Sequence, residues 1–409
     1  MSFARVTLPL AALNFLNQAS RALLAVIGPA LALEFSLSAG DLGLLAAVLF
    51  AAYAATQLPA GLALDLWGAR RVQAVLALVA ACGFALSALA PSWGWLMLGR
   101  VMTGIGVAAG LTAMLQANAR WFPRERVAAM TGSGLLVGAL GGMMATLPLS
   151  LLLPAIGWRG GFGLLAGLAV LVSAWIALAV PEAPRPATRK PLWTEVRAFG
   201  PIFRHPAFRG FVPAICVLSG LSFTWQGLWA GPWLRDVAGL EAEAARATVL
   251  LAYAAGMAGG SFAMGHVASA VQGRGWPPLA VGFAAMGVQL ALQLVFALAP
   301  PSGLAGLALA WGMFALAASA GPISYAAIGQ RFPTELAGRV ATAINASMLV
   351  LAFALQAGIG RVLDLWPRLP GGGWDPAGYR AALLGTAALQ AAALIWAWRA
   401  SRQVRISAP

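Results

Sequence analysis

The sequence has little charge, little acid and few of the side chains that do chemistry. Charged residues make up 9% of the 409, and 12 Asp and Glu stand against 26 Lys and Arg. Soluble domains carry about 25% charge, so water is not the main solvent of this chain. The two histidines, His205 and His266, are distant in sequence and form no ligand-spaced metal motif, so no metal is expected. No nucleophile–base pairing points to an enzyme, and no cofactor motif is present. A G-x4-GK[ST] loop is missing, which excludes nucleotide-driven work by that route. The two cysteines, Cys82 and Cys216, lie inside apolar runs and read as buried thiols, not a disulfide framework. None of the twelve acids falls mid-run. Proton relays place Asp, Glu or His at that depth, so Glu34 and His266, at run ends, are only weak candidates.

Apolar sequence dominates what is present: 61% of residues are hydrophobic and the mean hydropathy is +0.82. Runs of about 20 such residues read as membrane-spanning helices. Twelve spans are expected, at 8–33, 42–64, 72–91, 94–118, 128–152, 159–180, 209–231, 246–268, 277–299, 303–327, 338–363 and 379–399. The N-terminal stretch reads as the first span, not a cleaved leader. The 48 glycines fit close helix packing in lipid. The polar segment 181–208 divides the chain into a six-helix bundle at 1–180, a central loop, and a second six-helix bundle at 209–409. The basic residues sit at run ends, eighteen on one side and six on the other, with Arg21 and Arg100 inside spans. That bias places both termini in the cytoplasm of an inner-membrane protein. It also accounts for the net charge of +14 without a nucleic-acid partner.

A polar phrase occurs twice. "RWFPRER" from Arg120 joins spans four and five, and "QRFPTEL" from Gln330 joins spans ten and eleven. Equivalent places in two halves suggest a parallel repeat, one architecture of secondary transporters. After span two comes "GLALDLWGARR", Gly61 to Arg71. Its glycines permit a short turn and close approach of helix ends. Asp65 can pair with Arg70, Arg71 or Arg120, the last being the favoured partner.

The pattern Gly61-x3-Asp65-x2-Gly68-x-Arg70-Arg71 resembles the loop motif of the major facilitator superfamily, in the same place between the second and third of twelve helices. Arg100-x3-Gly104-x-Gly106 resembles its fourth-helix motif, and Gly138-Ala139-x-Gly141-Gly142 partly matches the fifth-helix motif of exchangers, with Ala139 where proline is usual. Leu66 and Ala69 depart from the loop motif's basic positions. The resemblance implies an all-α membrane fold of two six-helix bundles that rock about a central cavity. It assigns Gly61, Asp65, Gly68, Arg70, Arg71, Arg100 and Arg120 to gating, with Arg100 linked to coupling.

Asn14, Asn17, Gln18 and Arg21 recur at i, i+3, i+4 and i+7 and make one polar helix face. An arginine at that depth costs about 2.5–3.5 kcal/mol and suits an anionic substrate, a carboxylate or phosphate. With Pro29, Arg21 resembles the organic-anion and sugar-phosphate branches of the superfamily. The second arginine usual in helix seven of the latter is missing, which favours a singly charged anion. Tyr53 and Gln57 of span two, Gln116 of span four, Trp225 and Gln226 of span seven, and Asn345 and Gln356 of span eleven complete the expected substrate set. Trp229 and Trp233 suit an interfacial aromatic belt. The expected function is secondary or facilitative transport of a small organic anion by a lipid-embedded monomer. Alternatives are multidrug efflux, and a membrane enzyme or sensor, for which no motif or attached domain speaks.

Overall fold

The computed structural model describes residues 2–182, 197, 199–277, 279–333, 336–369 and 371–406. Most of the polar linker, residues 183–196 and 198, lies outside them, as does Glu335 of the second polar phrase. The described residues are helical apart from connecting turns and a single antiparallel bridge between Arg368 and Trp374. Contacts divide the chain into two compact units, Met1–Leu192 and Trp193–Pro409.

Among the described residues, eleven helices are long and apolar enough to cross a membrane, where twelve spans were expected. The difference lies in α2, Ala39–Ala88, which runs for 50 residues across a non-helical Gly68 with φ 80° and ψ 160°. At about 1.5 Å per residue it would measure roughly 75 Å, against a hydrocarbon core of about 30 Å. Leu64 before the break and Val72 after it belong to one buried cluster with Ala109 and Ala113. The chain therefore turns at Gly68, in a backbone region that glycine occupies at no steric cost, and α2 supplies two crossings.

The first unit also contains α1 (Thr7–Glu34), α3 (Trp93–Val107), α4 (Gly110–Trp121), α5 (Arg124–Met144), α6 (Leu147–Ser150) and α7 (Leu153–Ala179). A capping box begins α2: Ser38 Oγ accepts from Asp41 N at 3.0 Å, and Asp41 Oδ2 accepts from Ser38 N at 3.1 Å. Glycines set the helix spacing. A Cβ on Gly106 of α3 would lie 2.3 Å from Ala80 N, and one on Gly141 of α5 would lie 2.1 Å from Phe15 O. The fourth span is not one helix, as expected, but breaks between α3 and α4. A carbonyl freed there must find a donor inside the protein, and Ala109 O keeps its bond from Ala113 N at 2.9 Å. Gln57 Nε2 donates to Ala108 O at 3.2 Å and Gln73 Nε2 to Ala109 O at 2.9 Å.

The second unit holds α8 (Phe199–Arg204), α9 (Pro206–Thr224), a π-helical turn (Trp225–Trp229), α10 (Ala230–Asp236), α11 (Glu243–Gly273), α12 (Leu279–Leu298), α13 (Gly303–Ala318), α14 (Gly321–Gly329), α15 (Ala337–Leu363) and α16 (Pro376–Ile406). A Cβ on Gly256 would lie 2.2 Å from Gly312 O, so α11 and α13 meet backbone to backbone. Four fully or nearly buried polar side chains tie α12 to α16. Gln390 Nε2 donates to Gln289 Oε1 at 2.9 Å and to Met286 O at 3.1 Å, Gln293 Nε2 donates to Gln390 Oε1, and Thr386 Oγ1 donates to Gln293 Oε1 at 2.8 Å. Gln289 Nε2 carries the chain on to Leu218 O of α9 at 3.2 Å.

Two sequence expectations fail here. Trp229 and Trp233 are fully buried and form no interfacial belt. Trp233 packs on Phe296 and Trp311, with ring centroids 5.4 Å away in both cases, and Trp311 also stacks on Phe296 at 4.2 Å. The aromatic rings gain more from each other's edges and faces than from the bilayer surface. Cys216 is buried, as expected, but Cys82 is exposed on the helix surface.

Three substitutions test this packing. Gly106→Leu should lower stability by about 1–3 kcal/mol or more, read as a fall in melting temperature of the detergent-purified protein. Gly167→Ala, where a Cβ meets nothing within 4 Å, should leave it unchanged. Gln390→Leu leaves buried amide partners unmatched and should cost about 1–3 kcal/mol in the same assay.

Candidate functional site

In the first unit, the polar face of α1 becomes a site where α2 and α3 cross it. Arg21 and Arg100 are 5% and 2% exposed, so two guanidiniums are held in the interior of one helical unit. The Arg21 guanidinium carbon lies 5.1 Å from the Phe50 ring centroid and 5.5 Å from that of Tyr53, both on α2. These are cation–π distances. Asn17 and Gln57 reach the Tyr53 hydroxyl. Arg100 Nη1 donates to Ser20 O at 3.0 Å, which anchors α3 on α1 one residue from Arg21. The two cations are close enough to act on each other electrostatically. Asn14 is buried beside α5, because Gly138 leaves the space its amide occupies. Gln18 is half-buried.

The acids of this unit serve elsewhere. Glu34 joins α1 to the start of α7, with Arg159 Nη1 at 2.7 Å and Trp158 Nε1 donating at 2.6 Å. Glu182 forms an ion pair with Arg71. Asp41 caps α2, and Asp65 accepts from Gln116 Nε2 at 3.4 Å.

The last contact relocates Gln116. The sequence groups it with the substrate set; the structure puts it, exposed, beside the loop-motif acid Asp65. Helical spacing along α4 explains this, since Gln116 lies about a turn from Arg120 at the helix end. Within the loop motif, Gly68 makes the turn, but Gly61 makes no close approach: a Cβ there would meet nothing within 4 Å. Arg70 is half-buried and Arg120 is exposed.

In the second unit, Trp225 and Gln226 lie on the π-helical turn, and Asn345 and Gln356 lie on α15. Trp229 Nε1 donates to Gln356 O at 3.3 Å and fastens the two elements together. The Gln356 side chain is fully buried, and neither its Oε1 nor its Nε2 has a hydrogen-bond partner; the buried Trp225 Nε1 also has none. Buried polar groups are nearly always satisfied, and exceptions ask for a ligand, a water or a functional reason. π-Helical turns also concentrate at functional sites. Trp225 packs against Trp311 at 5.5 Å, and Ser222 Oγ lies 2.7 Å from the Tyr253 hydroxyl, which donates to Ser222 O at 2.9 Å. Asp236 closes one end of this unit. It accepts from Arg235 Nε at 2.6 Å, Trp374 N at 3.0 Å and Tyr379 Oη at 3.0 Å, and so holds the α15–α16 connection against α10.

Sequence reasoning missed Gln73, Trp311, Tyr253, Asp236 and the Gln289–Gln293–Gln390 ladder. Glutamines four residues apart inside an apolar run were a visible signal for the ladder. Nothing local marks Trp311 or Asp236, whose roles come from helices distant in sequence.

Comparison with known proteins agrees with this architecture. The family model described as Major Facilitator Superfamily matches residues 10–357. The galacturonate transporter of Dickeya chrysanthemi is 30% identical over 184 residues, 45% of this chain and 52% of that protein. Monocarboxylate transporter 11 of Homo sapiens is 32% identical over 300 residues, 70% of this chain and 61% of that protein. The chain thus spans about half the length of the curated relatives it matches. The crystal structure of a bacterial homolog of the human lysosomal transporter Spinster shares the fold, with a TM-score of 0.76 at 20% identity over 98% of this chain and 97% of that one. With the family model matching most of its length, the chain belongs to the Major Facilitator Superfamily.

Proposed function

We propose that the chain is a secondary transporter of small organic anions, foremost carboxylates, working by alternating access. The observation that carries this reading is the buried pair Arg21 and Arg100 in one helical unit, at 5% and 2% exposure. Charge at membrane depth is expensive and collects where a substrate or ion passes. Two neighbouring cations among aromatic and amide side chains attract an anion whatever their other contacts. A guanidinium offers a carboxylate two parallel hydrogen bonds. Arg21 is the proposed counter-charge; Tyr53, Gln57 and Asn17 orient the bound group, and Arg100 holds α3 on α1 behind it. Within the second unit, Trp225, Gln226, Asn345 and Gln356 are proposed as substrate-binding residues in their own right, where orphaned donors suit hydroxyl or carbonyl oxygens. The names of the relatives, a galacturonate transporter and a monocarboxylate transporter, support a carboxylate substrate.

The gating role of Gly61, Asp65, Gly68, Arg70, Arg71 and Arg120 belongs to the same proposal. So does a monomer in the inner membrane with both termini in the cytoplasm, an orientation supported by the distribution of Lys and Arg. A tag inserted at residues 300–301 should then be accessible from outside intact cells, while one at 274–275 should not; the reverse pattern would overturn the orientation.

Uptake into proteoliposomes tests the substrate. Galacturonate or a short monocarboxylate should be transported by the wild type. A charge-assisted hydrogen bond contributes about 1.5–3 kcal/mol, so Arg21→Gln should weaken uptake roughly tenfold to a hundredfold at subsaturating substrate. Arg21→Lys should recover part of it. Unchanged anion uptake in Arg21→Gln would remove Arg21 from the site, and preferential transport of cationic drugs would support an exporter.

A further inference from the structure

The second unit carries a groove that the transport site does not use. Its walls are α11 and α12, its floor is α13, and its volume is about 510 Å³. The groove follows from the packing. Gly256 and Gly260 draw α11 onto α13 at Gly312 and Leu316, while the glutamine ladder draws α12 toward α16. The helices on either side of one short turn are thereby pulled apart. Small side chains, Ala280, Ala284 and Ala317, line the space they leave.

Of the groove's lining residues, Arg274 alone is charged. It stands at the α11–α12 turn with Trp276, which is 63% exposed. Consecutive spans alternate in direction, so this turn shares an end of the unit with Arg209, Arg331 and Arg399. No acid occurs at that end among the described residues. Arginine and tryptophan at a helix end over an apolar slot match the headgroup level of a bilayer.

We propose that this groove is a binding site for one anionic phospholipid. An acyl chain lies between α11 and α12, and the phosphate is held by Arg274. The lining favours a lipid over a helix from a second copy: a lone arginine beside an exposed tryptophan at the rim of an otherwise apolar slot offers a cation to a headgroup and an apolar surface to its chain. The volume lies within the ~300–1,000 Å³ of small-ligand sites. The charge selects an anionic headgroup, since basic pockets between membrane helices recognise such lipids.

Native mass spectrometry of the purified protein, titrated with phosphatidylglycerol and phosphatidylethanolamine of matched chains, tests the site. The wild type should retain one phosphatidylglycerol under activation that strips phosphatidylethanolamine. Arg274→Gln should weaken that retention at least tenfold, and Arg274→Lys should keep part of it. Ala284→Phe, which fills the groove and leaves the arginine, should also lose the lipid. Arg274 is exposed at a turn, so its variant decides the matter even if Ala284→Phe fails to fold. Equal retention of both lipids by the wild type, an unchanged adduct in Arg274→Gln, or a dimer that Ala284→Phe disperses would each overturn the proposal.

Discussion

In hydrocarbon, each backbone carbonyl and amide must find its partner within the protein, and the two helical units are organised around that constraint. It makes nearly every described residue helical. It also concentrates polar side chains where helices break. At the gap between α3 and α4, Gln57 donates to the carbonyl of Ala108, and Gln73 donates to that of Ala109, which Ala113 N also reaches. The glutamine ladder between α12 and α16 meets the same demand among side chains. Against this background, Gln356 stands out, because its amide lies fully buried with neither end satisfied.

Apolar attraction does not join helices in a solvent as apolar as they are. Backbone approach at glycine does, and it decides where other things fit. Gly141 seats α5 on α1, Gly106 seats α3 on α2, and Gly256 seats α11 on α13. In the first unit these contacts bring Arg100 beside Ser20 and Arg21 under Phe50 and Tyr53. In the second they splay α11 from α12 and leave the groove above Arg274. One packing rule thus underlies both the buried cations and the lipid-facing slot.

Much of this was legible in the sequence. Hydropathy runs set the spans, since a helix in lipid needs only enough apolar length. The loop motif marked the turn at Gly68, and the spacing of Asn14, Asn17 and Arg21 marked a polar helix face, because both signals are local. Less legible was which polar residues meet. Gln116 shares its polarity with Gln57, yet it faces Asp65 at a helix end, and Gln57 faces Ala108 and Tyr53. Trp229 and Trp233 carry the composition of an interfacial belt and lie in an aromatic core instead.

The sequence by itself determined the apolar solvent, the apolar spans and the presence of two arginines too deep for a plain surface role. These follow from the side chains of one segment at a time. Only the tertiary structure decided that Arg21 and Arg100 are neighbours, that Glu34 is engaged by Arg159, that Asp236 fastens the α15–α16 connection, and that Trp311 is the hub of a ring cluster. Each depends on side chains from different helices being brought together. Helix packing sets those distances, and no periodicity along the chain encodes them.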